Sequence, residues 1–197
     1  MLNISKLDFL KAKLQFKLCV YYNIDIRDIY GEDMEKFLTV YALYDDDTQK
    51  ILKGYQNTIL EKGFVSTHTT DVPFHITLGS FPTSMLKELV ERMEKVSLES
   101  NRFEIEINAV NTFGSRVLFL EPTPNEQLLT LQKHFDMSYP FNLPYHAHTT
   151  MLLSEECDVR DAKETLLDAF KPLKATIVAI EMGEFFPTRL ICRNCLN

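Results

Sequence analysis

One order of strand-like and helix-like stretches runs twice through this chain, and it leaves few folds open. Pro73-Phe74-His75-Ile76-Thr77-Leu78 and Pro144-Tyr145-His146-Ala147-His148-Thr149-Thr150-Met151 each hold a His-x-Thr triplet in an apolar, strand-like stretch. His75 and His148 lie 73 residues apart, and the flanks match at that offset. Before each triplet come a β-like run, Phe37 to Tyr44 or Val117 to Leu120, and a helix-like stretch. After each come another helix-like stretch and a further β-like run, at Phe103 or at about Thr176, 26 residues beyond the threonine in both cases. The order β-α-β-α-β therefore appears twice, the mark of an internal repeat. It predicts a pseudo-two-fold arrangement that brings both triplets into one cleft.

A single His-x-Thr is close to chance in a chain of this length; the doubling carries the signal. Residues i and i+2 of a strand share a face, so each triplet offers an imidazole and a hydroxyl side by side. Two imidazoles supply a general base and a general acid near neutral pH. Two hydroxyls donate hydrogen bonds to phosphoryl oxygens. Opening a phosphodiester without a metal needs one imidazole to take a proton from the attacking water and another, across the phosphorus, to give one to the departing oxygen. Which histidine is the base is not fixed, because the roles exchange with reaction direction.

With these residues the chain resembles the 2H phosphoesterase superfamily, the 2′-5′ RNA ligase-like proteins and cyclic phosphodiesterases, over Glu35 to the C-terminus. Phe113-Gly114, followed by Val117-Leu118-Phe119-Leu120 and an amphipathic helix, is similar to the segment between the two motifs in that family. The resemblance implies a bilobed α+β fold, a duplicated β-α-β-α-β with mainly antiparallel sheets and a central groove. It implies an enzyme that attacks 2′,3′-cyclic or 2′-5′ linked phosphoesters of RNA or nucleotides without a metal or other cofactor, reversible as ligation. His75 and His148 take the catalytic positions, and Thr77 and Thr150 hold the phosphate. The second motif offers two candidates, His146 and His148, and only His148 has threonine at +2. His146, Tyr145 and Phe141 are candidate substrate contacts, the two aromatics by stacking on a base.

A net charge of −7 over 197 residues argues against broad binding to duplex DNA, which needs a basic face. It leaves room for a nucleotide, or an RNA end with a cyclic or 2′-5′ phosphate, in a locally basic groove. No long apolar run and no charged-then-apolar leader is present, so neither a membrane contact nor a signal peptide is expected. The expectation is a cytoplasmic monomer with reduced thiols. Cys192-Arg193-Asn194-Cys195 forms a C-x-x-C, but no second clustered pair completes a zinc site, and a redox pair belongs at a helix start.

Residues 1–33 stand apart from the repeat. Leu7, Leu10, Leu14 and Leu18 at helical spacing, with Lys6, Lys11, Lys13 and Lys17 between them, read as an amphipathic basic helix packed on the body. Residues 34–197 form the phosphoesterase-like domain, with lobes of roughly 34–113 and 114–197 packed without a linker. Asp46 or Asp47 caps a helix that Gly63 stops, and Thr83 or Ser84 opens the next. Thr123-Pro124-Asn125-Glu126 reads as a capping box with proline at the first helical position, and Asp158 opens the last helix. His134 reads as structural near a helix end and His68 as solvated in a polar loop.

Two other functions compete. A metal hydrolase would use His75, His146 and His148 as zinc ligands, leaving the threonines unexplained. A non-catalytic module would hold RNA or nucleotide in the same groove. Chelation separates out the first, and multiple turnover the second.

Overall fold

The computed structural model describes residues 36–66, 72–140, 142–154, 157–185 and 188–197. The expected helix within residues 1–33, His68 and Phe141 lie outside the described residues. The elements are β1 (Phe37–Tyr44), α1 (Asp46–Leu60), β2 (His75–Pro82), a 3-10 turn (Thr83–Met85), α2 (Leu86–Glu99), β3 (Phe103–Phe113), β4 (Val117–Thr123), α3 (Glu126–Lys133), β5 (Thr149–Leu153), α4 (Val159–Ala169), β6 (Leu173–Phe185) and β7 (Arg189–Cys195). The run β1-α1-β2-α2-β3 is followed by β4-α3-β5-α4-β6, the predicted duplication, and β7 adds a closing strand.

Three of the four described α-helices start where a short polar side chain satisfies a free backbone N–H group, whereas α2 follows the 3-10 turn with Met85 at its cap and no side-chain cap from Thr83 or Ser84. Asp45 accepts from the Thr48 N–H, one residue ahead of the expected cap, and Asp158 accepts from the Arg160 N–H. At α3 the cap is Asn125, which accepts from the Leu128 N–H. Pro124 therefore precedes the helix instead of occupying its first position. Gly63 follows α1 with φ +90°, a left-handed conformation that costs glycine little.

All strands join one antiparallel sheet in the order β2-β1-β6-β3-β4-β5, with β7 beside β6. Strand β6 ties the halves together. Its Leu173–Ile177 stretch pairs with β3, its Ala179–Glu184 stretch pairs with β7, and β1 runs along its other edge. The helices also cross between halves: α3 packs on β2, and α1 packs on β5 and α4. The chain from Phe135 to Tyr139 lies against β2, where the Ser80 N–H donates to Met137 O (2.8 Å) and the Tyr139 N–H to Ser80 O (2.9 Å). Gly79 permits this approach, since a Cβ there would stand 1.8 Å from Phe135 O.

Alternation along the strands sorts the side chains into two faces. Leu38, Val40, Ala42 and Tyr44 of β1, and Ile76 and Leu78 of β2, belong to the main core under the helices. The intervening Tyr41 and Leu43 of β1 join Ala179 in a separate small cluster on the opposite face. Leu118 and Leu120 of β4 likewise enter the main core, while Phe119 between them is buried outside it. This second face carries the His-x-Thr residues.

On β7, Cys192 and Cys195 are three residues apart in a strand and point to opposite faces. Their Cα atoms are then about 10 Å apart, beyond disulfide reach. Cys192 lies against the Met93 sulfur at 3.9 Å, and Cys195 is exposed. No helix among the described residues is long and apolar enough to cross a membrane.

Candidate active site

The first triplet opens β2. His75 pairs across the ladder with Leu43 and Thr77 with Tyr41, so both sit on the face away from the main core. The second triplet straddles the start of β5: His148 precedes the strand and Thr150 lies within it. Residues 142–148 form no ladder, so the second motif is a strand only from Thr149 onward. Thr149 and Thr150 face opposite ways. Thr149 is fully buried, its hydroxyl 2.7 Å from that of Tyr44, while Thr150 pairs with Phe119 on the second face.

Strands β2 and β5 stand at opposite ends of the sheet order, yet they touch. The sheet therefore curves until its two ends meet, and the charge of His148 is felt at His75. One repeat unit contributes each imidazole, as the pseudo-two-fold arrangement requires.

Both rings are fixed by the same local device. His75 Nδ1 lies 2.7 Å from Pro73 O, and His148 Nδ1 lies 2.8 Å from His146 O. A carbonyl oxygen only accepts, so each neutral ring carries its proton on Nδ1 and keeps a lone pair on Nε2. The shared i to i−2 bond makes His146 the counterpart of Pro73, and it identifies His148 as the equivalent of His75.

Each imidazole is partly open to solvent but walled closely by protein. Burial pushes His75 down to about 4; the Pro73 carbonyl opposes this and the nearby His148 adds to it. Burial also lowers His148, against the His146 carbonyl and with a contribution from the His146 charge. Both rings are thus neutral at pH 7 when no anion lies between them.

The walls differ. Tyr41 lies against His75 with ring centroids 4.4 Å apart, and its hydroxyl donates to buried Glu181 at 2.7 Å. Burial, then the bond and charge of Glu181, push the Tyr41 phenol far up, so it remains a donor. His148 instead meets Phe113 at 5.1 Å and Phe119 at 5.6 Å, both steeply inclined to it. Tyr41 and Glu181 carry no motif, and the sequence reading does not single them out; Phe119 enters it only as part of the segment between the motifs. Only their cross-strand register places them here.

A sequence profile of the 2′-5′ RNA ligase superfamily matches residues 57–184, more than half of the chain and both triplets. The chain belongs to that superfamily. Solved structures agree on the fold. E. coli LigT complexed with 3′-AMP is 14% identical, covering 83% of this chain and 99% of its own, with a TM-score of 0.56. TT0787 of Thermus thermophilus is 12% identical, covering 81% and 97%, with a TM-score of 0.55. LigT complexed with NADP+ is 18% identical, covering 83% and 99%, with a TM-score of 0.52. A search of curated protein sequences finds no match.

In this member of the superfamily, the remaining candidates have distinct places. His146 stands at the rim with 45% of its side chain exposed and its Nε2 3.3 Å from Glu121 Oε1. Tyr145 packs its ring on the main core, and its hydroxyl is buried with no partner among the described residues. Phe141 lies outside the described residues. No group of three His, Cys, Asp or Glu among the described residues is arranged to hold a metal ion, so His75, His146 and His148 do not converge as ligands.

Proposed function

We propose that the chain is a phosphoesterase that opens 2′,3′-cyclic phosphates, or 2′-5′ linkages, of nucleotides or RNA ends by two-histidine acid/base chemistry. The observation that carries this reading is the duplicated device: two imidazoles, one from each half, each with Nδ1 bound to a carbonyl and Nε2 left for proton transfer. LigT, similar in fold, has been solved with 3′-AMP, ATP and phosphate, which supports a nucleotide phosphate as the ligand.

The substrate completes the protonation pattern. An anion between the rings favours the charged form of an imidazole, so binding raises one of the two depressed pKa values. The neutral ring accepts a proton from water through Nε2 as the water oxygen bonds to phosphorus. The P–O bond to the ribose breaks, and the protonated ring delivers its Nε2 proton to the departing oxygen. The Thr77 and Thr150 hydroxyls hold the non-bridging oxygens, where negative charge grows in the transition state. With a ribose hydroxyl in place of water, the same path in reverse joins the ends. The protein would act as a cytoplasmic monomer on small phosphorylated ligands.

A panel of nucleoside 2′,3′-cyclic phosphates, cyclic-ended RNA and 2′-5′ linked oligonucleotides, followed by phosphorus NMR with and without a chelator, tests this. Multiple turnover of at least one, unaffected by the chelator, is expected. Binding without turnover would leave only the groove-binding reading, and loss of activity restored by zinc would favour the metal hydrolase.

A further inference from the structure

We propose that His146 and Glu121 are positioning residues for His148; this rests on the acid/base role given to His148 above. The two motifs use the same carbonyl-to-Nδ1 bond but anchor the carbonyl differently. In the first motif it belongs to Pro73, whose ring locks φ. In the second it belongs to His146, in a stretch that no ladder holds. The His146 side chain does the anchoring. Its Nε2 lies 3.3 Å from Glu121 Oε1, and its ring rests steeply against Phe113 at 5.3 Å and Phe119 at 5.6 Å. Those two rings also contact His148, so one aromatic bracket serves both histidines.

Glu121 is well placed to hold His146. It lies on β4, where it pairs with Ala109 of β3. Its Oε2 accepts from Asn111 Nδ2 on β3 at 3.2 Å, and Asn111 Oδ1 accepts from Lys163 Nζ on α4 at 3.4 Å. A continuous chain thus runs from α4 through β3 and β4 to His146, and through its carbonyl to Nδ1 of His148. The side chains of His146 and Glu121 are 45% and 33% exposed, and such pairs contribute little to folding. The effect of the pair falls on the tautomer and orientation of His148.

Proton–nitrogen correlation spectra at pH 7 read which nitrogen of each ring is protonated, independently of activity. In the wild type His148 should be protonated at Nδ1. In His146→Leu and Glu121→Leu it should become a mixture of tautomers, with His75 and Tm unchanged. Against a nucleoside 2′,3′-cyclic phosphate, kcat should fall about tenfold with KM within about twofold. His146→Gln, which restores a donor to Glu121, should recover the wild-type tautomer and kcat. An unchanged His148 tautomer in His146→Leu, or a glutamine variant as impaired as the leucine one, overturns the proposal. If the wild type turns over no phosphoester, the functional reading fails, and the tautomer of His148 still decides the positioning.

Discussion

Burial of neutral His75 makes folding stability depend on pH in a calculable way. In the unfolded chain its pKa is about 6.5, and in the folded protein it is about 4. The folded value is depressed, so the stability from burying the neutral ring is present above pH 6.5. It is lost as pH falls toward 4, where the unfolded chain binds the proton more tightly. One pKa unit corresponds to about 1.36 kcal/mol, so the loss from this residue reaches about 3 kcal/mol by pH 4. Carboxylates also titrate there, so the useful quantity is the difference between wild type and His75→Gln. Urea unfolding at pH 7, 6, 5 and 4 gives that difference directly. The wild type should lose about 3 kcal/mol more than His75→Gln across the range, and inorganic phosphate should reduce the excess by favouring the charged ring. A difference that stays flat with pH refutes the burial argument, because His75 would then be solvated in the folded protein.

Four other substitutions probe separate parts of the structure. Thr77→Val and Thr150→Val keep shape and delete a donor, so each should lower kcat by about 1–3 kcal/mol of transition-state stabilisation with little change in KM; a loss confined to KM contradicts the transition-state role. Tyr145→Phe removes a buried hydroxyl that has no partner among the described residues, so thermal melting should show unchanged or increased stability; marked destabilisation means the hydroxyl is bonded. Gly79→Ala should destabilise by about 3 kcal/mol or more in urea titrations, because its Cβ would overlap Phe135 O, a backbone atom; wild-type stability would show that Phe135 to Tyr139 is not held against β2.

Much of the fold is legible because its signals are local. The alternation of β3, the acidic cap of α4 and the glycine after α1 each act within a few residues. The doubled triplet is legible for the same reason, since i and i+2 fix their own relative direction. The rest depends on partners distant in sequence. Leu173–Phe185 is one long strand because it changes partners midway, which no local pattern records. Tyr41 meets His75, and Glu181 meets Tyr41, through ladder register alone. The second motif reads as strand-like from Pro144 onward because its residues are apolar and aromatic. The chain there instead forms no ladder, and the His146 carbonyl accepts from His148 Nδ1. Pro124 is ambiguous because Thr123 and Asn125 are both good caps, and the accepted N–H belongs to Leu128.

The central claim, that one imidazole from each half acts on a shared phosphate, is tested most directly by the turnover of His75→Ala and His148→Ala on the best substrate of the panel. Both variants should stay folded at pH 7 or above, and each should lose about 10²-fold or more in kcat. The wild type should give a bell-shaped pH dependence of kcat/KM that belongs to the pair of rings. A His148→Ala variant that retains full activity while His146→Ala is folded and inactive would contradict the account, because the second imidazole would then be the wrong one.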